Sequence, residues 1–194
     1  MDKTTLPQIP PTTFVIFGVT SDLSERKLLP ALLDLYVNNS LPANFRIIGF
    51  GRRPEWNDDD FRAWVKKVIL KKEHKHPAKK ISDFLKNLIF QHGHFDDLTA
   101  YSQLRAKLLD MDSQRNMCAY KLFYLSVSPG HYDTIFDNLK KSNLTGRYEA
   151  EECTRVLVEK PFGHDLSTAR KLDKKLGKLF REHQIFRIDH YLAK

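Results

Sequence analysis

The sequence is poor in anything that could staple it. Its 194 residues contain two cysteines, Cys118 and Cys153. Their spacing matches no zinc site, which points to reduced thiols in a cytosolic setting. No secretory leader is expected, because Met1 to Pro11 is polar and proline-rich with neither a charged start nor an apolar run. No apolar run is long enough to cross a bilayer. There is no internal repeat or low-complexity tract, so a repeat array is excluded. Two histidine pairs, His74 with His76 and His92 with His94, lack the cysteines or carboxylates that would complete a metal set. No metal is expected.

What is present is ordinary for a globular chain: 41% apolar and 29% charged residues. The length suits one domain, or one domain and the start of another. Lysine and arginine number 32 against 24 acids, a formal charge of +8. Such an excess attracts anions: a nucleic acid, an anionic membrane or a phosphorylated small molecule. It also fits a plain solvated surface. Lys66, Lys67, Lys71, Lys72, Lys75, Lys79 and Lys80 mostly fit the outer faces of helices, the usual place for solvated lysines.

Residues 1–12 read as a flexible arm. Phe14 to Phe17 is an unbroken apolar run, as in a strand buried on both faces. Leu28, Ala31, Leu32, Leu35 and Tyr36 then recur at helical spacing, up to a stop at Asn38, Asn39, Ser40 and Pro42. Arg46 to Phe50 is a second strand. Asn57 to Asp60 caps a helix carrying Phe61, Trp64, Val65, Val68 and Ile69. After a basic break at His74–Lys80, Ile81, Phe84, Leu85 and Leu88 read as helix, Ile89 to Phe95 as strand and Leu98 to Leu109 as helix. Lys121 to Leu125 and Arg155 to Val158 are strands. Between them Ser128-Pro129 opens a helix through Ile135, Phe136 and Leu139. Asp165 caps a last helix with Leu166, Ala169, Leu172, Leu176 and Leu179 inward, and Gln184 to Ile188 is the final strand. This alternation predicts an α/β fold: a doubly wound, mostly parallel, Rossmann-like sheet over residues 13–194.

The first strand runs into Gly18-Val19-Thr20-Ser21-Asp22-Leu23-Ser24 and then a helix. Free amides and the helix dipole make such a turn a phosphate site. It holds one glycine, so the dinucleotide fingerprint is not met, and an ordinary strand-to-helix turn stays open. The second strand ends in Gly51-Arg52-Arg53, without the acid that bonds the ribose hydroxyls of NAD. Arg52 could instead meet a 2′-phosphate, which means NADP; two solvated arginines are the alternative.

The last two strands lead into Glu159-Lys160-Pro161-Phe162-Gly163 and Arg187-Ile188-Asp189-His190-Tyr191-Leu192-Ala193-Lys194. Ligands of open α/β sheets bind beyond the carboxyl ends of strands. Asp189 and His190 offer a carboxylate and an imidazole, with Lys160 and Lys194 as cations. Adjacent strand residues face opposite ways, which favours separate jobs: one orients a base, the other binds an anion.

These two motifs resemble those of the glucose-6-phosphate dehydrogenase family. So do the Gly18–Ser24 loop with Arg26-Lys27 after it, Leu122 to Leu125 with Ser128-Pro129, and Phe180-Arg181-Glu182. The likeness spans nearly everything after the arm. It implies NADP-linked oxidation of glucose 6-phosphate at C1 to the lactone, in the cytoplasm. By matching position, Gly18, Val19, Thr20, Ser21, Asp22, Leu23 and Ser24 would hold the pyrophosphate, Arg52 the 2′-phosphate, and Tyr132 would touch the cofactor. Lys160 would sit between cofactor and sugar. His190, Tyr191 and Lys194 would bind the sugar phosphate, with Lys27 nearby. Asp189 would orient the general base.

The sequence departs from the family at three places. Ser21 stands for a usual glycine and would either crowd the pyrophosphate, strain a positive φ or donate a hydrogen bond. Ser24 replaces alanine and Ala193 replaces glycine. The family's proton-abstracting histidine, and the sheet domain that completes the sugar pocket and the dimer, lie past Lys194. The resemblance therefore implies negligible turnover by these 194 residues alone, since general base catalysis contributes roughly 10²–10⁴-fold. It also implies self-association through apolar surface left at the ends of the last strands.

Overall fold

The structure is a computed structural model that describes residues 10–42, 44–71, 76–115, 118–145, 153–159 and 165–188. Six strands run through the described residues: β1 (Thr12–Phe17), β2 (Arg46–Gly51), β3 (Leu88–His92), β4 (Tyr120–Leu125), β5 (Thr154–Glu159) and β6 (Ile185–Ile188). The α-helices between them are α1 (Leu29–Val37), α2 (Asp58–Leu70), α3 (Ala78–Leu85), α4 (Leu98–Arg115), α5 (Tyr132–Lys141) and α6 (Leu166–Leu179). Every strand pair is parallel. The order is β3-β2-β1-β4-β5-β6. It reverses direction between β1 and β4, the switch point at which open α/β sheets bind ligands.

Strand alternation divides the core in two. Val15 and Phe17 of β1 point to the face covered by α4, α5 and α6, where they meet Tyr101, Phe136 and Leu176. Ile16 points to the other face, packed by Leu33 of α1, Phe61 of α2 and Phe84 of α3. Burial on both sides explains the unbroken apolar run of β1. No helix of the described residues is long and apolar enough to cross a membrane.

Caps and edges follow from side chains. Asn57 accepts the amides of Asp59 and Asp60, and Asp60 accepts the amide of Asn57. Asp165 and Thr168 make the same reciprocal box at α6. The outer edge of β3 is closed by three charged groups. Arg62 donates to the Leu88 carbonyl, Asp58 accepts the Phe90 amide and Lys107 donates to the Phe90 carbonyl. An edge so occupied cannot template a further strand.

Several sequence expectations need correction. In α1 the buried residues are Leu29, Pro30, Leu32 and Leu33, while Ala31 and Leu35 are exposed. The observed stripe, Leu29, Leu32, Leu33 and the half-buried Tyr36, keeps helical spacing but lies one residue round from the expected one, because the leucine-rich run Leu28–Leu35 offers two overlapping apolar faces. Leu88 opens β3, opposite Ile47, instead of closing α3. A buried leucine serves either element equally, and periodicity cannot separate them. β3 stops at His92, short of Phe95, and α4 runs on past Leu109 to Arg115. Leu166 is 67% exposed because it stands in the first turn of α6, ahead of the buried Leu172, Leu176 and Leu179. β1 starts at Thr12, the last residue assigned to the arm.

Candidate functional site

All strands are parallel, so all their carboxyl ends share one edge of the sheet. Phe17 of β1 pairs with Phe50 of β2 and with Leu125 of β4, which brings Gly18, Gly51 and Ser126 to one level. Gly18 turns the chain at φ +72°, where side chains are rarely tolerated. Its amide donates to the Phe50 carbonyl at 3.1 Å, and its own carbonyl accepts the Ser21 amide at 2.8 Å. A tight turn results, and a helical stretch follows it at once. The opening amides of a helix generally lack an intrahelical partner, and a strand-to-helix turn at this edge of the sheet is the kind of place where a phosphate binds.

The loop's side chains divide by direction. Val19 is fully buried in the core beside Phe61 and offers no surface to a ligand in this conformation. Thr20 and Leu23 are half-buried and Asp22 is exposed, with an ion pair to Arg26 at 3.6 Å. Ser24 is fully buried; its hydroxyl lies 2.9 Å from that of Ser126. Ser21 lies 2.7 Å from the same Ser126 hydroxyl. The only non-glycine residues with positive φ among those described are Asn39 and Asn143. Ser21 therefore carries no left-handed strain, which settles one of the alternatives raised by its replacing a glycine.

The two arginines after β2 behave differently. Arg53 lies over the Trp56 ring at 5.4 Å and pairs with Glu55 at 3.9 Å. Arg52 is exposed and has no hydrogen bond, ion pair or ring contact among the described residues. Lys27 is exposed on the π-helical stretch. Tyr132 is only 3% exposed, at the start of α5. Burial pushes its phenol pKa up, and a hydrogen bond with the Glu159 backbone acts against that shift.

β5 and β6 end in register, Glu159 beside Ile188. Lys160, Asp189, His190, Tyr191 and Lys194 lie outside the described residues. From β1 to β6 is three strand spacings, about 14 Å at about 4.8 Å each. The Gly18 turn and the chain leading into Asp189 thus emerge along one edge. Arg187, the first residue of the last motif, is held by Glu182 at 2.5 Å and Asp173 at 2.7 Å. It ties β6 to α6 and to the turn before the strand.

Two residues escaped the sequence reading. Ser126, 2% exposed, joins the hydroxyls of the loop. Tyr124 donates to the carboxylate of the buried Glu159. Burial first, and the Glu159 hydrogen bond second, raise the Tyr124 phenol pKa. Neither residue carries a local signal, since each matters through a partner on another strand. A cavity of about 240 Å³ between α6 and β6, lined by Leu172, Asp173, Leu176 and Arg187, holds none of the expected site residues.

A family model described as glucose-6-phosphate dehydrogenase, NAD binding domain, matches residues 15–194. The chain belongs to this family. Its fold is correspondingly a dinucleotide-binding one. Glucose-6-phosphate 1-dehydrogenase 2 of Mycobacterium bovis is 38% identical over 193 residues, 97% of this chain and 37% of that protein. Glucose-6-phosphate 1-dehydrogenase of Bacillus subtilis is 36% identical over 96% of this chain and 37% of that protein. A solved glucose-6-phosphate dehydrogenase in complex with its substrate glucose 6-phosphate superposes with a TM-score of 0.82 at 34% identity, covering 97% of this chain and 38% of that one. The enzyme from Mycobacterium avium gives 0.77 at 30% identity, over 93% and 37%. The chain thus spans a little over a third of the length of the family members it matches.

Proposed function

We propose that this chain is the NADP-binding portion of an oxidoreductase that converts glucose 6-phosphate at C1 to 6-phosphogluconolactone, a step of the pentose phosphate pathway. The observation that carries the reading is the pairing of the Gly18 turn with an unengaged Arg52 at the neighbouring strand end. The turn offers amides to a pyrophosphate. Arg52 offers an uncommitted guanidinium to a 2′-phosphate, and no acid at the end of β2 competes for the ribose.

NADP, when bound, supplies the acceptor for the hydride leaving C1. The chain's part is to bind and orient. The backbone from Gly18 to Leu23 holds the pyrophosphate, and Ser24 supports that loop from within. Tyr132, only 3% exposed, offers little surface to the cofactor. Lys27, exposed on the π-helical stretch that follows the loop, adds a cation. Lys160, Asp189, His190, Tyr191 and Lys194 enter by family likeness: Lys160 between cofactor and sugar, His190, Tyr191 and Lys194 on the sugar phosphate, and Asp189 to orient the base. The 194 residues alone turn over negligibly and work in the cytoplasm with a further portion of the enzyme. Without that portion they self-associate through surfaces such as Leu166 and Phe186, both exposed.

Isothermal calorimetry tests the reading. NADP should bind the chain more tightly than NAD, and glucose 6-phosphate should add heat only weakly. No heat with NADP would overturn it. Binding to duplex DNA that falls steeply with salt would favour a basic nucleic-acid module instead.

A further inference from the structure

Three serine hydroxyls meet behind the Gly18 turn, and their protons can be counted. The Ser24 hydroxyl lies 2.9 Å from that of Ser126 and 3.3 Å from the Gly18 carbonyl. The Ser126 hydroxyl lies 2.7 Å from that of Ser21, which also accepts the Ser24 amide at 3.2 Å. Each hydroxyl has one proton to give. The Gly18 carbonyl already accepts the Ser21 amide at 2.8 Å, so it does not depend on Ser24. Ser24 and Ser126 are 0% and 2% exposed, and only Ser21 reaches the surface.

Two proton orders satisfy every buried group. In the first, Ser24 donates to Ser126 and Ser126 donates to Ser21. Ser21 then holds two incoming bonds, and its own proton is left for the open side of the loop. In the second, Ser21 donates inward to Ser126, Ser126 to Ser24, and Ser24 to the Gly18 carbonyl, which turns lone pairs outward. An anion attracts the first arrangement and repels the second. The first also uses the shorter of the two bonds open to Ser24.

We propose that Ser126 is a positioning residue for the cofactor loop: it holds Ser21 with its hydroxyl proton directed outward, as a donor to a pyrophosphate oxygen of a dinucleotide. Ser126 is suited to this because it serves the turn twice. Its carbonyl lies against Gly18, 2.5 Å from where a Cβ would stand, and its hydroxyl orders Ser21. The proposal rests on reading the loop as a pyrophosphate site, and no covalent step is involved.

The test is a double-mutant cycle read by calorimetry on the 194-residue chain, with Ser126→Ala, Ser21→Gly and the double variant. Ser126→Ala should weaken NADP about three- to tenfold, a part of the roughly 10- to 100-fold carried by one hydrogen bond to a charged acceptor, because Ser21 keeps its hydroxyl and loses only its fixed direction. The double variant should bind no more weakly than Ser21→Gly alone, because Ser126 acts through Ser21. Binding of 2′-AMP, which has the ribose phosphate but no pyrophosphate, should be unchanged by Ser126→Ala. A general loosening of the loop would weaken both ligands. In Ser126→Ala the Ser24 hydroxyl can still donate to the Gly18 carbonyl, so the fold should hold. If that variant fails to fold, Ser126→Cys, of similar size but a weak donor, takes its place with the same expected loss.

Unchanged NADP affinity, additive losses in the cycle, or an equal loss for 2′-AMP would each overturn the proposal while leaving the pyrophosphate reading intact. Absence of NADP binding by the unsubstituted chain would overturn both.

Discussion

A Cβ atom placed on Gly18 would stand 2.5 Å from the carbonyl oxygen of Ser126 and 2.6 Å from a methyl of Val127. The first of these is backbone and cannot swing aside. The turn out of β1 and the end of β4 are therefore in contact at the point where the sheet reverses direction. The residue at position 18 must combine a positive φ with no side chain, and only glycine does both. Replacing Gly18 by alanine should cost on the order of 3 kcal/mol, as strain and overpacking together. Urea unfolding followed by circular dichroism would show it. A loss under about 0.5 kcal/mol, the scale of an ordinary surface change, would mean that the turn can relax.

The unequal engagement of the two arginines gives a second expectation. Arg52→Ala should weaken NADP roughly 10- to 100-fold, the value of a hydrogen-bonded ion pair to a phosphate, and leave NAD almost unchanged. Arg53→Ala should affect neither ligand by more than about twofold, since its guanidinium is already spent on Trp56 and Glu55. Equal losses for the two variants, or an equal loss for NADP and NAD, would remove Arg52 from the 2′-phosphate site.

The two thiols should react at different rates. Burial, and then a hydrogen bond with Cys118, push the Cys153 thiol up to about 12. A raised thiol pKa keeps the unreactive protonated form at pH 8. Cys118 is exposed. Iodoacetamide at pH 8 should therefore label Cys118 first and Cys153 slowly, with the gap closing as pH rises. Peptide mass spectrometry reads this directly. Labelling of Cys153 at the rate of Cys118 would contradict it.

Helix α6 should carry an acid-sensitive cap. The Thr168 amide, followed by the Ser167 and Thr168 hydroxyls, holds the Asp165 carboxyl below its ordinary value of 3.8. A depressed pKa means stability that is present above the unfolded value and lost as pH falls through the folded one. Asp165→Asn keeps an oxygen acceptor but does not titrate. The unfolding midpoints of the two proteins should keep a constant offset from pH 8 down to about 5, and converge only below about 4. An offset that changes between pH 8 and 6 would implicate another group.

Much of this fold is readable from local pattern. Phe14 to Phe17 announces a strand buried on both faces, and Asn57 and Asp165 mark the starts of α2 and α6 by side chains that satisfy nearby amides. What local pattern misses depends on partners distant in sequence. The stripe of α1 is misjudged because Leu28, Leu29, Leu32, Leu33 and Leu35 permit two overlapping helical faces, and only packing against the sheet chooses between them. Leu88 is assigned to the wrong element because it is buried in either. At the site, the sequence singles out Arg52 by position and family likeness but says nothing of how either arginine is engaged. They differ only because Trp56 and Glu55 fold back onto one of them.

The sequence by itself determined the class of fold, the order of its elements, the family and the position of the glycine turn after β1. These follow from apolar periodicity, from caps acting within a few residues, and from motifs carried on short contiguous stretches. The tertiary structure alone decided which arginine stays free, that Tyr124 meets Glu159, and that Ser21 and Ser24 share Ser126. Each of these needs two segments brought together by strand pairing. A hydrogen bond or a ring contact depends on distance in space, which neighbours along the chain do not specify.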